Sequence, residues 1–153
     1  MLSGCLALFG CPSPSVAQQF QSLDSIRKAA ADYALAVAKQ TLPSARLQVR
    51  ASMLDSRLRL PRCDGPLKPS APSGGRQVGH TVVAVRCTGA HPWKLYVPVE
   101  VKARLKVLVA AQPLARGAQV DAGMLSTAQR DVAQLPYGYF TRRSAVLGQV
   151  LRR

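Results

Sequence analysis

Cys63, Cys87, His80 and His91 are the residues of this chain best suited to covalent or coordination chemistry, and the two histidines are its only ones. Two sulfurs can join as a disulfide, stay as a buried thiol pair, or supply half of a metal site. A tetrahedral metal needs four ligands, and only His80 and His91 are available to complete the set. Acid–base chemistry has less to draw on. The seven acids are Asp24, Asp32, Asp55, Asp64, Glu100, Asp121 and Asp131, and no two are spaced as a pair on one helix face. Asp24 and Asp121 read as helix caps, Asp55 and Asp64 as turn formers.

The chain has no Gly-x-Ser-x-Gly elbow, no phosphate-cradling glycine loop with a lysine, and no zinc motif. Ser73-Gly74-Gly75-Arg76 is a flexible, basic stretch and reads as a linker. His80 falls within a strand-like alternation and His91 in a proline turn, so each reads as a surface or hydrogen-bonding histidine rather than a general base. An exported hydrolase would need a nucleophile set that is not recognisable here. The expectation is a protein that is not an enzyme, with no cofactor and no metal.

The fate of the sulfurs depends on the compartment. Leu2 to Cys11 is a short apolar stretch, and Ser15-Val16-Ala17 has the small-x-small form that precedes a signal-peptidase cut. Residues 1–17 are therefore expected to be a signal peptide cleaved between Ala17 and Gln18. A positive leading region is missing, which suggests a native start further upstream. Leu2-Ser3-Gly4-Cys5 and Leu8-Phe9-Gly10-Cys11 offer a rival reading as lipoprotein acylation boxes. The apolar run is too short to cross a bilayer, and no later segment reaches that length. A soluble mature protein is expected, with no transmembrane segment. Cleavage would remove Cys5 and Cys11 and leave Cys63 and Cys87, which in an oxidising space are expected to pair. Such a bridge is worth roughly 3 kcal/mol in the chain-entropy picture.

Twenty-one Lys and Arg against seven acids give the 153 residues a net charge of +14. That charge attracts anionic surfaces over long range. The cations are scattered, however, with no run longer than Arg142-Arg143 or Arg152-Arg153. Specific nucleic-acid binding, which favours clustering, is not expected. Aromatics make up only 5% of the chain, so the core must rest on Val, Leu and Ala.

The positioning elements follow from periodicity. Leu23, Ile26, Ala30, Tyr33, Ala34 and Val37 form an apolar stripe, predicting a helix over 20–40 capped by Ser22 and ended by Pro43. Alternation predicts strands at 47–49 and 58–60, with a turn at Asp55-Ser56 between them. Residues 61–75 form a Pro/Gly-rich connection that a Cys63–Cys87 bridge would tie down. A strand over 78–87 comes next. After it Trp93, Leu95, Val97, Val99 and Val101 point one way and Lys94, Tyr96, Pro98, Glu100 and Lys102 the other. Pro98 lacks an amide hydrogen, which places this strand at an edge or a bulge. Leu105, Val107 and Val109 continue the alternation. A turn at 112–117 precedes a short strand over 118–120. Asp121 then caps one helical turn. The last apolar run, 147–151, begins a strand with nothing after it to pair against, as in an incomplete domain. The fold class is α+β: an N-terminal helix packed on a small, mostly antiparallel sheet.

Several ordered segments carry a family resemblance. They are Arg57-Leu58-Arg59-Leu60-Pro61-Arg62-Cys63, Val85-Arg86-Cys87-x-Gly89, Pro92-Trp93-Lys94-Leu95-Tyr96-Val97-Pro98-Val99 and the Val107 to Gly117 run. Leu135-Pro136-x-Gly138-Tyr139-x-Thr141 and Val146-Leu147-Gly148 follow in the same order. Together they resemble the flagellar basal-body P-ring formation chaperones over nearly the whole mature chain. The resemblance implies an N-terminal α+β domain over 18–105 and a partial SAF-type β-clip domain over 106–153. It implies a periplasmic chaperone that binds the exported P-ring subunit, and paired cysteines at Cys63 and Cys87. Met124 stands where the family usually carries an acid, and family members continue past Arg153.

Partly exposed aromatics and arginines dominate protein interfaces. Trp93, Tyr96 and Arg86 are accordingly the expected partner-binding residues, although Trp93 also suits a core position beside the bridge. Tyr139 and Phe140 could close a second small core. The alternative function is a periplasmic cell-wall or polyanion binder, with peptidoglycan as a second partner, since SAF-like folds elsewhere handle sugars.

Overall fold

A computed structural model describes residues 20–71, 74 and 76–152. The expected signal peptide, the Ala17–Gln18 cut and part of the Ser73–Arg76 linker lie outside the described residues. One helix, α1 (Leu23–Thr41), packs on an antiparallel sheet of β1 (Arg46–Ala51), β2 (Lys68–Ser70), β3 (Gly79–Cys87), β4 (Trp93–Ala110) and β5 (Leu125–Asp131). The strand order is β1-β4-β3-β2, with β5 also paired to β4.

The helix begins where the Ser22 hydroxyl accepts the Ser25 amide. Asp24 in its first turn and Lys39 in its last both complement the dipole. Ile26, Ala30, Ala34 and Ala38 recur every fourth residue and are buried. Three alanines on that line bring the helix close to the sheet. There Val83, Val85, Val97, Val99 and Val101 meet the stripe in one cluster. Valine suits both the strand backbone and this shallow interface.

Two expectations need correction. The alternation at 58–60 does not form a strand, and β1 pairs instead with β4, from Arg46↔Arg104 to Ala51↔Val99. The local chain is diverted by a turn in which Asp55 Oδ1 accepts the Arg57 amide and the Asp55 carbonyl accepts the Leu58 amide. The Leu60 carbonyl then takes the Gln21 amide at the helix entry. Alternation alone fits any face-burying segment: Leu60 packs against the same valine cluster as Leu47 and Val49, but its backbone is taken by the helix entry, and β1 fills the ladder.

Pro98 is not in an edge strand, although β1 pairs with its strand only over residues 99–104 and Pro98 lies just past the end of that ladder. Its strand, β4, is central, with β1 on one side and β3 on the other. Ser52, the residue after β1, donates its amide to the Pro98 carbonyl at 2.9 Å. The return bond to the Ser52 carbonyl is the one proline cannot make. Arg27 of α1 supplies it instead, with Nε donating to that carbonyl at 3.2 Å and Nη2 to the Ala51 carbonyl at 3.5 Å.

The run 147–151 pairs with a segment that precedes it. Val120 donates to Gln149, Leu151 to Ala118 and Gly117 to Leu151, around a Gln119↔Val150 bridge. The short strand predicted at 118–120 therefore closes on the last residues of the chain.

Strand β4 runs for 18 residues without a break. β3 accompanies it as far as Val101, and β5 takes over from Arg104 to Ala110. A second cluster of Ala103, Val107 and Val132 forms there, with Leu42, Leu105, Leu135 and Tyr139 packed against it.

Candidate functional site

Two features stand out around β3 and β4: a covalent clamp on the inner side and an open charged face on the outer side. Cys63 and Cys87 are joined in a disulfide across 24 residues of sequence. Directly opposite Cys87 in the ladder is Trp93, whose indole nitrogen donates to the Pro61 carbonyl at 2.9 Å. The Cys63 amide donates to Gln21 Oε1 at 2.9 Å. Asp64 Oδ2 accepts the Ala90 amide in the β3–β4 turn. A Cβ at Gly89 would lie 2.9 Å from that same oxygen, so a side chain there would push the Asp64 carboxylate off the Ala90 amide. The proline-rich segment is thus tied to the helix entry, to β3 and to the hairpin tip.

His80 and His91 are both exposed, and His80 stands opposite Glu100 in the ladder. No group of three or more His, Cys, Asp or Glu among the described residues could hold a metal ion. The sulfurs are consumed in the bridge, which removes the thiol-pair and metal readings.

Trp93 therefore lies on the helix side of the sheet, against the first core cluster. Arg86 and Tyr96 are on the other side. Arg86 sits in a cross-strand row with Lys68 of β2 and Lys94 of β4. Tyr96, 54% exposed, occupies the next row opposite Ala84. Lys94 Nζ rests 4.4 Å from the centroid of the Tyr96 ring. The Lys94 ammonium holds the Tyr96 phenol below its ordinary pKa, and Arg86 adds a smaller pull.

At the far end of the same face a second group of cations gathers. Arg50 pairs with Glu100 across the strands, and Arg46 with Arg104. Lys102 reaches Glu100 Oε1 at 3.4 Å. Sequence reading found Arg86 and Tyr96 but missed Lys68, Lys94 and the Arg50 group as members of one face. The alternation in β4 was the available signal, but the cross-strand rows need the register. Of the other aromatics, Tyr139 packs against the second cluster and Phe140 is largely exposed.

No helix among the described residues is long and apolar enough to cross a membrane.

The architecture defines an α+β protein in which a helix-covered antiparallel sheet passes its longest strand into a second β unit. Residues 26–103 match the FlgA N-terminal domain and residues 106–153 match the SAF domain, the two matches meeting within β4. The chain belongs to the FlgA family, which is a family of chaperones and not of enzymes. Salmonella FlgA in its closed form is similar in fold, with a TM-score of 0.57 and 22% identity over 82% of this chain and 61% of that one. The open form of Salmonella FlgA gives a TM-score of 0.55 and 21% identity over 84% of this chain and 61% of that one. The chain thus spans about 61% of the length of these FlgA structures. No curated protein sequence matches it.

Proposed function

We propose that this chain is a periplasmic chaperone that binds the exported subunit of the flagellar P-ring and assists its assembly. The observation that carries the reading is the FlgA match over residues 26–103, followed directly by the SAF match. The Cys63–Cys87 bridge supports an exported protein, because disulfides persist in oxidising compartments. Residues 1–17 would be the signal peptide, cut between Ala17 and Gln18, and the two domains would divide at 105/106.

Such a role asks for surface rather than reacting groups. The described strands provide two kinds. β1 and β2 are the edges of the main sheet and suit strand addition, in which main-chain bonds supply affinity. The outer face, with Arg86 and Tyr96, supplies side chains.

The experiment is a binding measurement between the oxidised chain and purified P-ring subunit, with an unrelated exported protein as control. Saturable binding to the subunit alone is the expected result. Failure of the subunit to bind would overturn the reading.

A further inference from the structure

The outer face of the main sheet is the largest feature that the clamp and the core leave without a task. Its central strand places Lys94, Tyr96, Pro98, Glu100, Lys102 and Arg104 on one side by strict alternation. Ladder partners extend that line sideways. Arg86 stands beside Lys94 with Lys68 beyond it, while on the other side Arg50 stands beside Glu100 and Arg46 beside Arg104. All seven cations on this face are exposed. Two carboxylates stand among them: Glu100, which Lys102 engages, and Asp131, directly opposite Arg104 in the β4–β5 ladder.

The charge is not spread evenly. Lys94 is six residues along β4 from the Arg50–Glu100 row and eight from Lys102, so the two cationic ends are separated by about 20–26 Å at strand rise. Between them lie Tyr96, Pro98 and Val82, with Val82 and Tyr96 both exposed, and Met53 at the margin is 79% exposed. A uniform polyanion gains nothing from an apolar centre between charged ends. A folded protein surface with an apolar middle and acidic borders matches both parts. Interfaces are built this way, with a desolvated aromatic centre and a charged rim that guides docking.

We infer that this outer sheet face is the docking surface for an acidic, apolar-centred patch on the protein client. Tyr96 is its central anchor, and the Lys68–Arg86–Lys94 row and the Arg46–Arg50–Lys102–Arg104 group are its two charged ends. The inference rests on the chaperone reading and names the side of the molecule that would perform it.

Binding of purified P-ring subunit is compared for the unaltered chain, for Arg86→Glu/Lys94→Glu, for Arg50→Glu/Lys102→Glu and for Tyr96→Ala. A control, Arg142→Glu/Arg143→Glu, lowers net charge by the same amount away from the face. Circular dichroism and melting confirm that each variant is folded. Each face variant is expected to weaken binding by about tenfold or more, chiefly through slower association at low salt, while the control stays within about twofold. Unaltered binding by folded face variants, with the parent chain still bound, overturns this inference and leaves the chaperone reading standing. No binding by the parent chain overturns both. Sedimentation with purified peptidoglycan forms a second arm. Loss of glycan binding in the face variants, with subunit binding intact, would assign the face to the cell wall and overturn the inference.

Discussion

The indole nitrogen of Trp93 and the carbonyl of Pro61 meet at 2.9 Å, two residues before the cysteine that is bonded to Trp93's own ladder partner, Cys87. One strand pair therefore holds the proline-rich segment twice, once through sulfur and once through a hydrogen bond. The covalent link limits how far the segment can move. The indole bond sets which way it lies.

Replacing Trp93 by Phe keeps the ring against the core but removes the donor. The expected cost is about 1 kcal/mol, for one hydrogen bond to a partly buried carbonyl. Trp93→Ala also empties the ring's volume and should cost about 3 kcal/mol or more. Urea unfolding of the oxidised protein measures both. A Trp93→Phe variant as stable as the parent chain would show that the donor contributes nothing.

The Cys63→Ser/Cys87→Ser variant should lose roughly 3 kcal/mol, as expected for a loop of this length in the chain-entropy picture. Adding reductant to the parent chain should produce a similar loss and should leave the double variant unchanged. Thiol titration of the denatured, unreduced protein should count two fewer reactive sulfurs than titration after reduction.

Arg27 stands in for the hydrogen that Pro98 lacks. Arg27→Ala should therefore destabilise by about 1 kcal/mol and speed exchange of the Ser52 amide. The charged head is partly solvated, which keeps the cost modest. Pro98→Ala offers an N–H to the Ser52 carbonyl, so it should cost less in the Arg27→Ala background than in the parent. A double-mutant cycle with no coupling would disprove the substitution of one donor for the other.

The Asp55 carboxyl is held below the usual aspartate range by side-chain bonds from Arg57, helped by the Arg57 amide. A lowered folded-state pKa means that the unfolded chain takes up the proton first as pH falls. The contribution of this turn is therefore whole above the usual aspartate range and disappears as pH drops through the folded value. NMR titration of the Asp55 carboxyl should show a midpoint below the usual aspartate range that rises in Arg57→Ala. Both side chains are largely exposed, so the effect on global stability should be small.

At Tyr96 the same experiment runs in the alkaline range. Lys94→Ala should raise the phenol's midpoint towards the ordinary tyrosine value, because it removes the largest cause of its lowering. Ultraviolet titration reads it directly, and an unchanged midpoint would mean that the ammonium over the ring is averaged away in solution.

Much of the helix, β3 and β4 could be read from the chain because each reports a strong period. Ile26, Ala30, Ala34 and Ala38 repeat every fourth residue, and Val97, Val99 and Val101 every second, so local geometry and burial demand the same assignment. β5 could not be read. Leu125-Ser126-Thr127-Ala128-Gln129-Arg130-Asp131 has no clear alternation, and it is a strand because the second half of β4 needs a partner. The residues 57–60 show the reverse case, a good alternation left unpaired because an Asx turn and the helix entry claim its backbone.

By itself the sequence determined the fold class, the helix and its caps, the two faces of β4 and the two sulfurs available to pair. These depend on covalent order and on periods of two to four residues. Only the tertiary structure decided that Trp93 belongs to the clamp while Tyr96 and Arg86 share an open face, that Pro98 can sit in a central strand, and that cations from four strands form rows. Those outcomes depend on register. Register is set by long-range burial of β1 and β3 against β4, and a slip of one residue would send every one of these side chains to the opposite face.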